Sequence, residues 1–312
     1  MHIHTTASDG KKPLEELIPI AERELLGGFC LTDHDTMKAA AKAHICSTPR
    51  IEVIPGIELS CKLEGKYLIE LIGYFINPLD EEKLKECCDI NKEFREARMR
   101  KMIWKFNEMF KKDLKDSARK LDLLDWEITY DEVERAAGKE ADSIGSNHFN
   151  QILINRGLSE GRNAFKTVLN KRYEKSCYVE RDAIEIDQAS EGIRSNGGVP
   201  GMAHPALVAA DYEGEITDED LINMLKPYFG KEIRVIEVDY PYCKVRPECK
   251  KLLVYKDKKY GGVAEEYDLI PVNGSDGHQK PDGPALGERR TNRRYVEMIR
   301  KLASNKNILV CN

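Results

Sequence analysis

Met1–Gly10 reads MHIHTTASDG, with His2 and His4 flanking one apolar residue and Asp9 five positions beyond His4. On an extended strand alternate side chains leave the same face, so His2 and His4 project together. Two neutral imidazoles with a carboxylate close behind make a donor set for Zn, Mn or Fe. The alternative for two histidines beside Met1 is a surface terminus or a processing remnant. The readings part on whether later segments bring further ligands to the same place.

Working outward, polar residues recur at the ends of apolar strands. Phe29–Leu31 leads into Asp33, His34 and Asp35. IEVIPGIELSC is predicted as a β-branched strand ending in Glu58. Tyr67–Phe75 is a strand, apolar apart from Glu70, and a carboxylate in that setting needs a partner. VPGMAHP ends in His204, IRVIEVDYP carries Glu237 and Asp239, and Leu269–Val272 delivers Asp276 and His278. Helical periodicity is predicted at Lys12–Leu26, Met37–His44, Arg181–Ser195, near Asp218–Leu225, at Pro247–Tyr260 and at Asn292–Ser304, before a last strand at Ile308–Cys311. Such alternation, with about seven strands, predicts an α/β fold whose site lies at the strand exits. The charged helical block 80–178 is expected to be an insertion into a catalytic domain formed by 1–79 and 179–312.

The 312 residues suffice for one large α/β barrel with an insertion, or for two ordinary domains. A net charge of -5 gives no global reason to bind long nucleic acid or an anionic membrane. The nine cysteines are odd in number and never spaced CxxC, which favours a reducing cytoplasm over a disulfide framework. No apolar run approaches the roughly 20 residues of a membrane span, and no leader is expected.

Collected, the polar residues at strand exits are His2, His4, Asp9, Asp33, His34, Glu58, His204, Asp276 and His278, with Glu70 inside its strand. Five of the seven histidines lie in this set. One ion needs only three or four protein ligands, so the count predicts two or three divalent ions sharing a bridging carboxylate, for which Glu58 is the candidate.

HIHTTASDG, LTDHDT, PGIELS, GMAHP and GSDGH resemble the ordered motifs of the PHP (polymerase and histidinol phosphatase) family of metal-dependent phosphoesterases. The resemblance is greatest to its stand-alone bacterial branch of nucleoside 3',5'-bisphosphate phosphatases and 5'-3' exoribonucleases. It implies a distorted (β/α)7 TIM-like barrel with a helical insertion domain and a trinuclear Mn, Fe or Zn site. His2, His4, Glu58 and Asp276 would hold one ion, Glu58 and His204 a second, and Asp9, His34 and His278 a third. The chain departs from the family pattern twice. Glu70, in ELIGY, stands where a histidine is usual, and is either a ligand or a partner to a ligating histidine. IGSNHFNQ has Ser146 and Asn147 where arginine and proline are common, leaving His148 as the phosphate contact. Replacement cations are Lys175, Arg181, Lys280, Arg289 and Arg290, with solvated surface charge as the alternative for each. Tyr240 and Tyr242 are candidates to stack on a base or to pack the rim.

The expected activity is hydrolysis of a phosphomonoester of a small nucleotide, of 3',5'-bisphosphate type, by attack of a metal-bridging hydroxide. Asp276, His204 and His278 are the candidate catalytic acids. The alternatives are 5'-3' exonuclease action on short RNA, histidinol-phosphatase-like activity, and a non-catalytic metal- or nucleotide-binding module. No membrane or long-polymer partner is expected, and a monomer is the working state.

Overall fold

Short runs of Ile, Val and Leu bounded by glycine or proline become the strands of this chain, and amphipathic runs between them become helices. The computed structural model describes all residues except 80–81, 117–126, 159–175, 213, 242–249, 281–282 and 305–312. Two compact units result, one of Met1–Asn91 with Ala183–Asn312 and one of Lys92–Asp182.

The described strands of the first unit are β1 (Gly28–Cys30), β2 (Glu52–Ile54), β3 (Gly56–Leu63), β4 (Tyr67–Tyr74), β5 (Ile184–Glu185), β6 (Val199–Met202), β7 (Val235–Asp239) and β8 (Ile270–Asn273). β1 and β2 pair in parallel, and the others form a sheet in the order β5-β3-β4-β6-β7-β8. Isolated bridges join Ile3 to both Leu31 and Gly277, and His34 to Glu58. β4 runs antiparallel to β3 and β6, whereas β3–β5, β6–β7 and β7–β8 are parallel. The cause is the tight Glu64–Lys66 turn, with φ of 55° at Glu64 and 66° at Gly65. So short a link can only reverse the chain, because parallel neighbours need a longer crossover.

Register decides what faces the site. Ser60 stands opposite Glu70 across the β3–β4 pair, and Glu58 lies two residues from Ser60, so all three leave one face of the sheet. The alternate residues Ile57, Leu59 and Cys61, with Ile69 and Leu71, join a buried core with Ile186, Ala189 and Ile193. Burial of a Leu or Ile side chain contributes about 1.5–3 kcal/mol, and a one-residue slip would exchange that face for the carboxylates.

Several sequence-based boundaries are corrected. Glu58 does not end a strand: Pro55 separates β2 from β3, and Glu58 is the third residue of β3. The helix expected at Arg181–Ser195 is confined to Ile186–Ser195, because Ile184–Glu185 pairs with β3. Lys12–Leu26 shortens to α1 (Leu14–Arg23), which ends before Leu25 at φ 53°. Met37–His44 becomes a 3-10 turn at Ala40–Lys42 and α2 (Ala43–Cys46). The expected strand Ile308–Cys311 lies outside the described residues.

α3 (Glu82–Asp116) is the long helix expected from the charged block. In the second unit it is joined by α4 (Tyr130–Ala137) and α5 (Ser146–Asn155). Their core is Met99, Met102, Phe106, Val133, Phe149, Ile152 and Leu153.

Candidate metal centre

The first strand is too short for a ladder, and its anchoring comes from single bonds on both sides. Ile3 is buried, its N–H donates to Thr32 Oγ1 at 2.9 Å, and its carbonyl accepts from Thr32 N at 2.9 Å. His4 N–H donates to the Gly277 carbonyl at 3.0 Å. With Ile3 fixed in the core, the two flanking histidines turn together away from it.

The loop from His4 to Asp9 is closed by Asp33. One carboxylate oxygen accepts from Thr5 N at 2.8 Å and Ser8 Oγ at 2.6 Å, and the other accepts from Thr5 Oγ1 at 2.8 Å. Gly10 completes the turn: a Cβ there would lie 2.4 Å from the His4 carbonyl oxygen. Asp33→Ala strands three buried donors, so it is expected to cost about 3 kcal/mol in urea unfolding of the metal-free protein. A change below about 0.5 kcal/mol, the range of neutral surface substitutions, would contradict this account of the loop.

Around these anchors the titratable groups converge. Glu58 is fully buried, with Oε1 at 3.3 Å from His2 Nε2 and 3.1 Å from His204 Nε2. Its Oε2 lies 2.9 Å from His34 Nδ1 and 3.3 Å from His4 Nε2. Asp276 Oδ1 is 3.0 Å from His4 Nε2, and His278 Nε2 is 3.0 Å from Asp9 Oδ1. Glu70 reaches His34 Nδ1 at 3.6 Å and His204 Nε2 at 3.4 Å. Non-glycine φ values of 25° at His204 and 45° at Asp276 mark strain held by the surrounding structure.

Among the described residues, three groups each bring one donor atom per residue within 4.8 Å of the others: His4, Asp9, His34 and His278; His2, His4 and Glu58; and His34, Glu58 and Glu70. Glu58 Oε2 and His34 Nδ1 are buried without hydrogen-bond geometry despite their 2.9 Å separation, and His204 Nδ1 is buried without a partner. Buried polar groups are rarely left so, and ligand atoms that converge without hydrogen bonds to one another fit a divalent cation. The residues present therefore fit the metal-site expectation, and Glu70 is positioned among the donors.

Without metal, burial opposes a charge on His2, yet Glu58, Glu237 and Asp276 outweigh it and raise its pKa to about 9. Burial acts likewise on His4 and His204, whose pKa values neighbouring carboxylates hold well above the ordinary 6.5. In Glu58 and Asp276 the burial penalty is overcome by the imidazoles, which keep both carboxyls well below the usual range. Ions must displace these protons, so Mn affinity is expected to rise between pH 6.5 and 9, with proton release visible by calorimetry in buffers of different ionisation enthalpy. Stability of the metal-free chain has the opposite trend. A raised histidine pKa contributes fully below 6.5 and is lost as pH climbs through about 9. PH-independent Mn affinity would contradict the assignment.

The substrate candidates distribute differently. Lys280 Nζ is 4.0 Å from Asp9, beside the donor groups. Arg289 is bound to Asp239 at 2.8 Å and its N–H to Ser275 Oγ. His148 and Arg181 belong to the second unit, where His148 Nδ1 accepts from Gly145 N–H at 3.0 Å, capping its own helix. Lys175 and Tyr242 lie outside the described residues. Of the two roles considered for Tyr240, packing is the one its position favours: the residue is 2% exposed and its hydroxyl donates to Asp276 Oδ2.

Glu237, which touches His2, and Asp35 are noted at strand ends in the sequence but left out of the candidate site drawn from it, and Asn91 is not singled out. Asp35 accepts from Ser60 N at 2.9 Å and Asn91 Nδ2 at 2.8 Å, fixing the residue after His34. The signal available for Glu237 was a carboxylate inside an apolar strand, the same one that singled out Glu70.

Comparison with known proteins accords with this geometry. A 5'-3' exoribonuclease of Haemophilus influenzae is 30% identical over 207 residues, covering 66% of this chain and 68% of that protein. The 5'-3' exoribonuclease Rnm of Escherichia coli is 28% identical over 212 residues, 66% of this chain and 64% of its own length. A structure assigned as a metal-dependent phosphoesterase of Bifidobacterium adolescentis superposes with a TM-score of 0.74 at 22% identity, covering 96% of this chain and 94% of the other. An amidohydrolase of Chromobacterium violaceum, solved with sulfate and no metal, gives 0.69 at 21%, covering 96% and 95%. Both structures share the mixed α/β fold. The PHP domain profile matches residues 1–239, which take in the first histidine pair, Glu58 and His204, and the chain belongs to the PHP family.

Proposed function

We propose that this chain is a metal-dependent hydrolase of phosphate esters, acting on a phosphomonoester of a small nucleotide of 3',5'-bisphosphate type. The observation that carries it is the convergence of five histidines on Asp9, Glu58, Glu70 and Asp276. A purely structural site would not need so many donors in overlapping groups. His2, His4, Glu58 and Asp276, then Glu58, Glu70 and His204, then Asp9, His34 and His278 would hold two or three Mn, Fe or Zn ions. When bound, such ions supply a nucleophile at neutral pH and neutralise charge on the phosphoryl oxygens.

The chain's own residues do the remaining work. Lys280 stands beside Asp9, where its ammonium can meet a substrate phosphate. Both oxygens of Asp276 are engaged, one by the Tyr240 hydroxyl and one by His4 and His2. His278 is engaged at both nitrogens too, Nδ1 by the Asp276 carbonyl and Nε2 by Asp9, whereas His204 keeps Nδ1 without a partner and is the better candidate to protonate the leaving alcohol. The bridges from Ile3 to Leu31 and Gly277 support reading the sheet as a distorted (β/α)7 barrel, and the compact unit Lys92–Asp182 supports reading 80–178 as a helical insertion in a catalytic domain of 1–79 and 179–312. The odd number of cysteines and the lack of CxxC spacing support a reducing, cytoplasmic setting.

A second reading, 5'-3' hydrolysis of short RNA, is favoured by the names of the Haemophilus and Escherichia relatives. The two separate in a Mn-loaded assay with a nucleoside 3',5'-bisphosphate, histidinol phosphate and a 5'-phosphorylated RNA pentamer. The first reading expects the bisphosphate to give the highest kcat/KM. A pentamer degraded faster than the bisphosphate overturns it in favour of the second.

A further inference from the structure

Glu237 belongs to none of the donor groups, yet it touches two of the histidines that supply them. It leaves β7 with its side chain fully buried, and each carboxylate oxygen has one partner. Oε1 lies 3.0 Å from His2 Nδ1, and Oε2 accepts the backbone N–H of His204 at 2.8 Å. The second bond falls where the chain is strained, since His204 adopts φ 25° and ψ 57° immediately before Pro205.

We propose that Glu237 is a positioning residue for the metal centre: it fixes the Nδ1–H tautomer of His2 and holds the backbone of His204, so that both Nε2 atoms aim at Glu58. This rests on the metal-site reading above. The geometry is consistent on every side. With the proton on Nδ1, the Nε2 lone pair of His2 faces His4 Nε2 at 3.1 Å and Glu58 Oε1 at 3.3 Å. His204 Nε2 meets the same Glu58 oxygen at 3.1 Å. A carboxylate is required, because only it offers an acceptor to each of two donors at once. A glutamine in its place turns an NH2 group toward either the His204 amide or His2 Nδ1, and in the latter case forces the proton of His2 onto Nε2.

Gly274, just after β8, is the other half of the device. A Cβ built there would lie 1.8 Å from Glu237 Oε1 and 2.6 Å from its Cδ. The glycine is thus needed for the close approach of backbone to carboxylate, and an added methyl must push the carboxylate off His2.

The test begins with the unaltered protein loaded with Zn, where long-range 15N–1H NMR reads the tautomer of His2. Nδ1–H is expected, and Nε2–H would overturn the proposal. Glu237→Gln is then expected to keep the fold and the metal-free melting temperature within a few degrees, while Mn affinity by calorimetry falls about 10–100-fold, the usual cost of losing such an outer partner. Gly274→Ala should reproduce that loss with Glu237 intact, and carries the mutational test if Glu237→Gln is insoluble. At saturating Mn the kcat of either variant should recover much of its value. Wild-type Mn affinity in a folded variant refutes the positioning role. A wild-type protein that binds Mn with this pattern yet hydrolyses no phosphate ester would instead refute the hydrolase reading and leave the role of Glu237 standing.

Discussion

Glu58→Gln is expected to retain its fold but lose most bound metal and at least about 10³-fold in phosphoester turnover, since the charge stabilisation at stake is several kcal/mol. The size follows from position. Four imidazoles, those of His2, His4, His34 and His204, lie within 3.3 Å of the Glu58 carboxylate. Glutamine matches its shape and preserves the pairing of β3 with β4, which backbone bonds maintain. It cannot present an anionic oxygen to both sides, so two donor groups lose their shared member together. Metal content by mass spectrometry and turnover should therefore fall in step. Loss of turnover with unchanged metal content would remove Glu58 from the ligand set.

Asp276→Asn should likewise cost about 10²-fold or more in kcat/KM, and lower the bound metal. Here the backbone makes the substitution informative. Asp276 sits at φ 45°, a conformation asparagine tolerates about as well as aspartate and most other residues do not. The fold is thus kept while the negative charge beside His2, His4 and His278 is lost. Asp276→Ala would confound the chemistry with backbone strain. Full activity with unchanged metal stoichiometry in Asp276→Asn contradicts the assignment.

Much of the donor cluster was legible because side chains suited to hold a metal leave a pattern that survives in one dimension. His2 and His4 alternate about Ile3, and His34, His204 and Asp276 follow apolar runs, so the strand pattern together with the family motifs grouped them as candidates. Glu70 announced itself as a charge among apolar neighbours. What stayed hidden acts through other protein groups. Asp33 closes a loop by accepting from Thr5 and Ser8, and Asn91 reaches Asp35 from a helix 56 residues away, partners that no spacing rule connects. The break at Pro55 was overlooked because two β-branched runs on either side of a proline read as one. The left-handed backbone of His204 has no signature in residue type: Pro205 favours extended backbone before it, and the contact to the His204 N–H comes from Glu237, 33 residues away.

The most direct test of the central claim is metal stoichiometry and turnover measured on one sample. Purified chain reconstituted with Mn, freed of loose metal and assayed on a nucleoside 3',5'-bisphosphate, p-nitrophenyl phosphate and a 5'-phosphorylated RNA pentamer is predicted to hold more than one tightly bound ion per chain and to release phosphate or nucleotide. Chelation should abolish turnover and Mn should restore it. One ion or fewer per chain, together with no turnover on any of the three, would contradict the account.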